Sequence, residues 1–164
     1  LLPGPDNAIV ETVGGPGRRF DVFGKNFANE IRPRQRGEGF EPGNWRVQIS
    51  PRKPAQTDLF LNVMQITDRS ITDLPEIAPV EAGRFTGFRL DGRLVLFHTG
   101  DEATDLPVRF TVDGGTADVL VCGLAGGTWQ VWRDGRIVRP AVEVVSREAA
   151  IYLRAEPGHY ELRR

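Results

Sequence analysis

Sulfur and histidine are scarce in this sequence: its 164 residues include one cysteine, one methionine and two histidines. A lone cysteine excludes an intrachain disulfide. Its setting, Asp118-Val119-Leu120-Val121-Cys122-Gly123-Leu124, marks Cys122 as a small buried hydrophobe rather than a reactive thiol. The redox compartment stays open, because a chain long enough to build a core does not need bridges. His98 and His159 stand far apart, at a strand end and after Pro157-Gly158, with no Ser or Cys nucleophile motif beside either. No hydrolytic triad is spelled out, and both read as surface or edge histidines. HxxxH, CxxC and carboxylate-rich calcium loops are missing as well, so neither a metal nor a cofactor is expected.

Charge of one sign and long apolar runs are also lacking. The formal net charge is -1. Residues 1–53 carry nine Lys/Arg against six Asp/Glu, and the remainder 12 against 16, a mild polarity far from the imbalance of a nucleic-acid-binding protein. No apolar stretch is long enough for a membrane helix, so no membrane partner is expected. The first residues, Leu1-Leu2-Pro3-Gly4-Pro5-Asp6, lack an initiator Met, a basic segment and an apolar segment of a signal peptide. They read as a cut end, and the chain is expected to be a piece of something longer.

What is present is strand signal almost everywhere, without a convincing amphipathic helix. The expectation is an all-β fold, an antiparallel β-sandwich with little or no helix. Strands are predicted at Ala8–Val13, Arg19–Phe23, Trp45–Ser50, Leu59–Ile66, Phe85–Leu90, Arg93–His98, Val108–Val112, Ala117–Leu124, Thr128–Arg133, Ile137–Val138, Val142–Ser146, Ala149–Arg154 and His159–Arg163. Asp91-Gly92 and Asp134-Gly135 each predict a two-residue hairpin, since both positions of a type I′ turn need positive φ. Gly14-Gly15-Pro16-Gly17-Arg18-Arg19 lacks the Lys-Ser/Thr ending of a phosphate loop and precedes a strand, so it reads as a turn. Leu59-Phe60-Leu61-Asn62-Val63-Met64-Gln65-Ile66 is apolar on both faces, which predicts a strand between two covered layers. The stretch from Arg69 to Gly83 reads as a connector. A soft boundary near Arg69 then divides the chain into residues 1–68, a β-segment completing a larger β-layer, and residues 69–164, a C-terminal sandwich; one continuous domain is the alternative.

Ligand-contact candidates come from the arginines and tryptophans. Arg32, Arg34 and Arg36 are concentrated in Ile31-Arg32-Pro33-Arg34-Gln35-Arg36-Gly37, an irregular loop whose planar guanidinium forks suit sulfate and carboxylate groups. Trp45, Trp129 and Trp132 could stack on sugar faces. In Thr128-Trp129-Gln130-Val131-Trp132-Arg133, period-two alternation sends Trp129 with Val131 one way and Gln130 with Trp132 the other. Tyr152 and Tyr160 are of the type that acts as acid or base in polysaccharide β-elimination, but both alternate inside late strands and read as structural.

With these pieces placed, the chain resembles the C-terminal β-rich region of the heparinase II/III-like polysaccharide lyases. The resemblance lies in Leu1-Leu2-Pro3, in Gly14 to Phe20 leading to Phe23-Gly24-Lys25-Asn26-Phe27, and in Trp45 to Pro51 with Asp58 to Met64. It is looser in Val95-Leu96-Phe97 and Gly127 to Val131. Residues 1–68 carry most of its specificity. It implies a parent in which a helical toroid, absent here, precedes large β-layers and supplies most of the catalytic Tyr, His, Asn and Arg groups. None of those motifs, and no match to the zinc ligands of some members, lies in this sequence, so no catalytic residue carries over. The implied function is a non-catalytic β-sandwich portion giving structural support, with an acidic polysaccharide as a contact, in a periplasmic or extracellular protein. The contact residues expected are Arg32, Arg34, Arg36 and Trp45. The rival readings are an autonomous carbohydrate-binding module and a ligand-free adhesion sandwich.

Overall fold

The structure, a computed structural model, describes residues 7–18, 20–27 and 45–164. These divide into two compact units, one of the described residues up to Phe60 and one running from Leu61 to Arg164. Neither contains a helix among the described residues.

The first unit holds four short strands. β1 (Ala8–Gly14) pairs antiparallel with β4 (Trp45–Pro51), and β2 (Asp21–Val22) pairs with β3 (Lys25–Asn26). Of the described residues in the strand expected at Arg19–Phe23, Asp21 and Val22 are ladder-paired; Arg19 lies outside the described residues. Arg46 donates from Nη2 to the Asp21 carbonyl, and Arg52 from Nη2 to the Ala8 carbonyl at 3.2 Å. Within the β1–β4 ribbon, Val10 faces Ile49 and Thr12 faces Val47. That face stays in solvent, with Val10 64% and Val47 63% exposed.

The second unit is the sandwich. β5 (Ala78–Ala82), β6 (Phe85–Leu90), β7 (Arg93–His98), β9 (Ala117–Cys122) and β12 (Ala150–Ala155) form a five-stranded sheet in the order β12-β9-β7-β6-β5. β8 (Val108–Val112), β10 (Gly127–Arg133), β11 (Arg136–Val144) and β13 (Gly158–Arg163) form a four-stranded one in the order β11-β10-β13-β8. All pairs are antiparallel except β7 with β9. That exception follows from the path, because β8 carries the chain across to the other sheet between them. Both hairpins form as the sequence predicts: Leu90 pairs with Arg93 and Arg133 with Arg136, around Asp91 and Gly92 at φ 42° and 69° and Asp134 and Gly135 at 49° and 77°.

Alternation on each strand builds a single core between the sheets. Leu94 and Leu96 of β7, Val119 and Val121 of β9, and Ile151 and Leu153 of β12 meet Phe110 of β8, Trp129 and Val131 of β10, and Tyr160 and Leu162 of β13. Trp129 is wholly buried, and its indole N–H reaches the Ala125 carbonyl at 2.9 Å, which satisfies the one polar atom it takes inside. Phe110 and Tyr160 stack at 5.3 Å between centroids, and the Tyr160 hydroxyl donates to the Glu156 carbonyl at 2.9 Å.

Three sequence expectations are corrected. Leu59–Ile66 is not a strand: it has no ladder partner among the described residues, and Phe60, Met64 and Ile66 are exposed. β-Propensity acts only where a neighbouring strand offers a pleated surface to pack on. The connector expected from Arg69 to Gly83 contains β5, whose Pro79 is tolerated because β5 is an edge strand. The strands expected at Ile137–Val138 and Val142–Ser146 are one strand, β11, also an edge, carrying Pro140 and paired to β10 through register shifts.

The doubly apolar strand exists elsewhere. In β7, Leu94 and Leu96 point into the core while Val95 and Phe97 lie on the outer face, and Tyr152, Leu120, Val95, Phe88 and Pro79 align in one outer row across all five strands. Leu120, Val95 and Phe88 are half-buried there.

Candidate functional site

The outer face of the four-stranded sheet is polar, and the same alternation dictates its members. With Tyr160 and Leu162 turned inward, β13 presents His159, Glu161 and Arg163. β8 presents Arg109 and Thr111, and β10 presents Gln130 and Trp132. Register aligns Trp132 with Glu161 and Glu161 with Arg109, a row about 10 Å wide at the usual strand spacing.

Glu161 organises this row. Its Oε1 accepts from Arg109 Nε at 3.1 Å and Nη2 at 2.8 Å, and its Oε2 accepts from Arg163 Nη2. Arg163 first, and then Arg109, holds the Glu161 carboxyl below the ordinary glutamate range against the opposing effect of burial, while Glu161 raises Arg163. The Arg163 guanidinium also lies 4.5 Å from the Trp132 ring centroid, a cation–π contact. Trp132 Nε1 donates to Gln130 Oε1 at 3.3 Å. In the neighbouring row His159 Nδ1 meets Thr111 Oγ1 at 3.1 Å.

Beside this face, edge strand β5 runs near edge strand β8, and a groove of about 490 Å³ opens between them. Glu81 and Arg89 stand on its β5–β6 side, with Arg109, Trp132, His159 and Glu161 on the other. Arg89 bonds Asp113 at 3.2 Å and the Thr111 carbonyl at 2.9 Å, and Glu81 accepts the Thr86 hydroxyl at 2.8 Å. A second hollow of about 300 Å³, near Leu106 and Pro107, shares Ala82 and Arg109 with the first.

The residues singled out from sequence fall in several places. Arg32, Arg34 and Arg36 lie outside the described residues. Trp45 begins β4 and is 61% exposed; its ring covers Gly15, where an added Cβ would come within 2.9 Å of the indole. Of the candidate stacking residues, Trp129 is sealed in the core, whereas Trp132 borders the groove. Tyr152 is exposed and donates to Asp118 Oδ1 at 2.8 Å, a bond that raises its pKa. Burial raises the half-buried Cys122 thiol. His98, expected at a surface or strand edge, is half-buried at the end of β7: it packs against Phe85 at 5.2 Å, Nδ1 lies 3.0 Å from the Glu102 carbonyl, and Nε2 is buried with no hydrogen-bond partner among the described residues. Among the described residues no group of three or more His, Cys, Asp or Glu side chains is placed to hold a metal ion. Sequence reasoning missed Arg109, Glu161 and Arg163, and it placed His159 at the surface without linking it to them. Alternation shows that they share a strand face, but nothing local shows that β8 and β13, about 50 residues apart, are neighbours.

The fold and its polar face thus define an antiparallel β-sandwich domain with a grooved outer surface. Residues 79–164, just over half of the chain, match the heparinase II C-terminal domain family, and the chain belongs to that family. The match begins at β5 and covers the strands of both sheets, whereas the sequence resemblance had placed most specificity in residues 1–68. No curated protein matches the chain.

Proposed function

We propose that the chain is the non-catalytic β-sandwich portion of a heparinase II/III-like polysaccharide lyase, which supports its parent structurally and contacts the acidic glycan. The parent cleaves uronate-containing polysaccharide by β-elimination in the periplasm or outside the cell, with its chemistry on a helical domain that this sequence does not include. The observation that carries the structural part is the apolar outer row of Leu120, Val95 and Phe88. A sheet with a complete core on one side and an apolar row on the other is suited to a further layer. The apolar face of the β1–β4 ribbon supports the same reading, since two strands alone are marginal in water.

For glycan contact, the proposal retains Arg32, Arg34, Arg36 and the exposed Trp45. Affinity electrophoresis of the 164-residue chain through heparin, chondroitin sulfate, alginate and a neutral glucan, at two salt concentrations, tests it. Retardation by an acidic polymer, relieved by salt, is expected. Replacing the three arginines with Ala should weaken that binding roughly tenfold at low salt and flatten its salt dependence, with thermal stability nearly unchanged. Unaltered binding would remove the three arginines from the proposal, and no retardation in any gel would leave a purely structural sandwich. One observation favours the autonomous carbohydrate-binding reading instead: the groove beside Trp132 is built entirely within the sandwich.

A further inference from the structure

We infer that the groove between β5 and β8 is a saccharide site in its own right, whose ligand is a sparsely charged uronate chain rather than a densely sulfated one. The inference takes from the polysaccharide reading only its choice of a glycan; the groove itself supplies shape, surface and charge. The two hollows share Ala82 and Arg109, so they adjoin along the sheet edge, an arrangement that suits an extended polymer better than a compact small molecule. Its main volume lies within the roughly 300–1,000 Å³ of small-ligand clefts.

Its surface combines one indole with guanidinium, carboxylate and imidazole groups. Trp132 offers an apolar plane for the C–H face of a sugar ring. Arg163 stands over one face of the half-buried indole and is not among the residues that line the groove. The planar forks of Arg109 and Glu161 suit paired hydroxyls and carboxylate.

Charge then narrows the ligand. Arg89 is matched by Asp113, Arg109 and Arg163 share Glu161, and Glu81 lies on the opposite wall. These six groups carry three positive and three negative charges and leave no excess cation for a run of sulfates. A densely sulfated chain would set its anions against Glu81 and Glu161. A single carboxylate can instead take Arg109, whose side chain is 74% exposed, while Arg163 remains on Glu161. Trp132 is assigned the sugar face and Arg109 the carboxylate.

The test is affinity electrophoresis of the whole chain in hyaluronan, which carries one carboxylate per disaccharide and no sulfate, beside heparin and a neutral glucan. Hyaluronan should retard it more than heparin does. Trp132→Ala and Arg109→Ala should each weaken hyaluronan binding about tenfold, Trp132→Phe should keep most of it, and the Arg32, Arg34 and Arg36 triple alanine should change it less than about twofold. Melting curves identify any variant that fails to fold, and the exposed Arg109 then carries the test alone. Hyaluronan binding that survives both alanine variants, or heparin held more tightly than hyaluronan, would overturn the groove assignment while leaving the polysaccharide reading intact. No binding to any polymer overturns both.

Discussion

In the sandwich, period-two alternation on two facing sheets, joined by Leu124 just beyond β9, removes seventeen apolar side chains from water into one cluster. In the β1–β4 ribbon the same alternation leaves Val10, Val47 and Trp45 more than 60% exposed. Both regions are rich in the β-branched and aromatic residues that favour strands. The difference is the second layer: nine strands in two sheets give every inward side chain a partner, whereas a strand pair has one hydrogen-bonded neighbour per strand and no facing sheet of its own. Apolar pattern therefore marks a face that is to be covered, and it does not identify the cover.

The largest expected effect separates the two regions by one residue type. Trp129→Ala should destabilise the sandwich by about 3–5 kcal/mol, through lost burial and the cavity left behind. Trp45→Ala should leave the sandwich transition within about 0.5 kcal/mol. Chemical denaturation followed by far-ultraviolet circular dichroism reads both, and equal losses would erase the distinction.

Hydrogen exchange sharpens the comparison without a mutation. Amides of β7, β9, β10 and β13 should exchange only through global opening, and those of β1 and β4 through small local fluctuations. Comparable protection in both sets would mean that the ribbon has a stabilising cover.

The smallest effect belongs to the polar face. Glu161 has a folded pKa below its ordinary value of 4.5, Arg163 being the first cause. Its pairing therefore stabilises the fold fully above that value, and the contribution is lost as pH falls through the lower folded pKa. Thermal melting from pH 7 to pH 3 should show Glu161→Gln less stable than the native chain at neutral pH, with the gap closing in acid. A gap independent of pH would detach Glu161 from the two arginines.

Much of this molecule could be read from short stretches. The Asp-Gly turns at 91–92 and 134–135 were legible because a two-residue hairpin needs positive φ at both positions, a local demand. The opposite destinations of Trp129 and Trp132 followed from strand pleat alone. Leu59–Ile66 misled for the opposite reason: apolar residues on both faces describe a strand only if other strands arrive beside it. The connector expected from Arg69 to Gly83 hid β5, whose Pro79 is excluded from a central strand and allowed in an edge strand.

The sequence by itself determined an all-β chain, the positions of most strands and turns, and which face of each strand is apolar, because turn chemistry and alternation act over two to six residues. Only the tertiary structure decided that β7 lies parallel to β9, that β5 and β8 approach at one edge, and that Trp132, Glu161 and Arg109 stand in one row. Those relations depend on which strands become neighbours across tens of residues. That choice is made by the packing of the whole core and is encoded in no single segment.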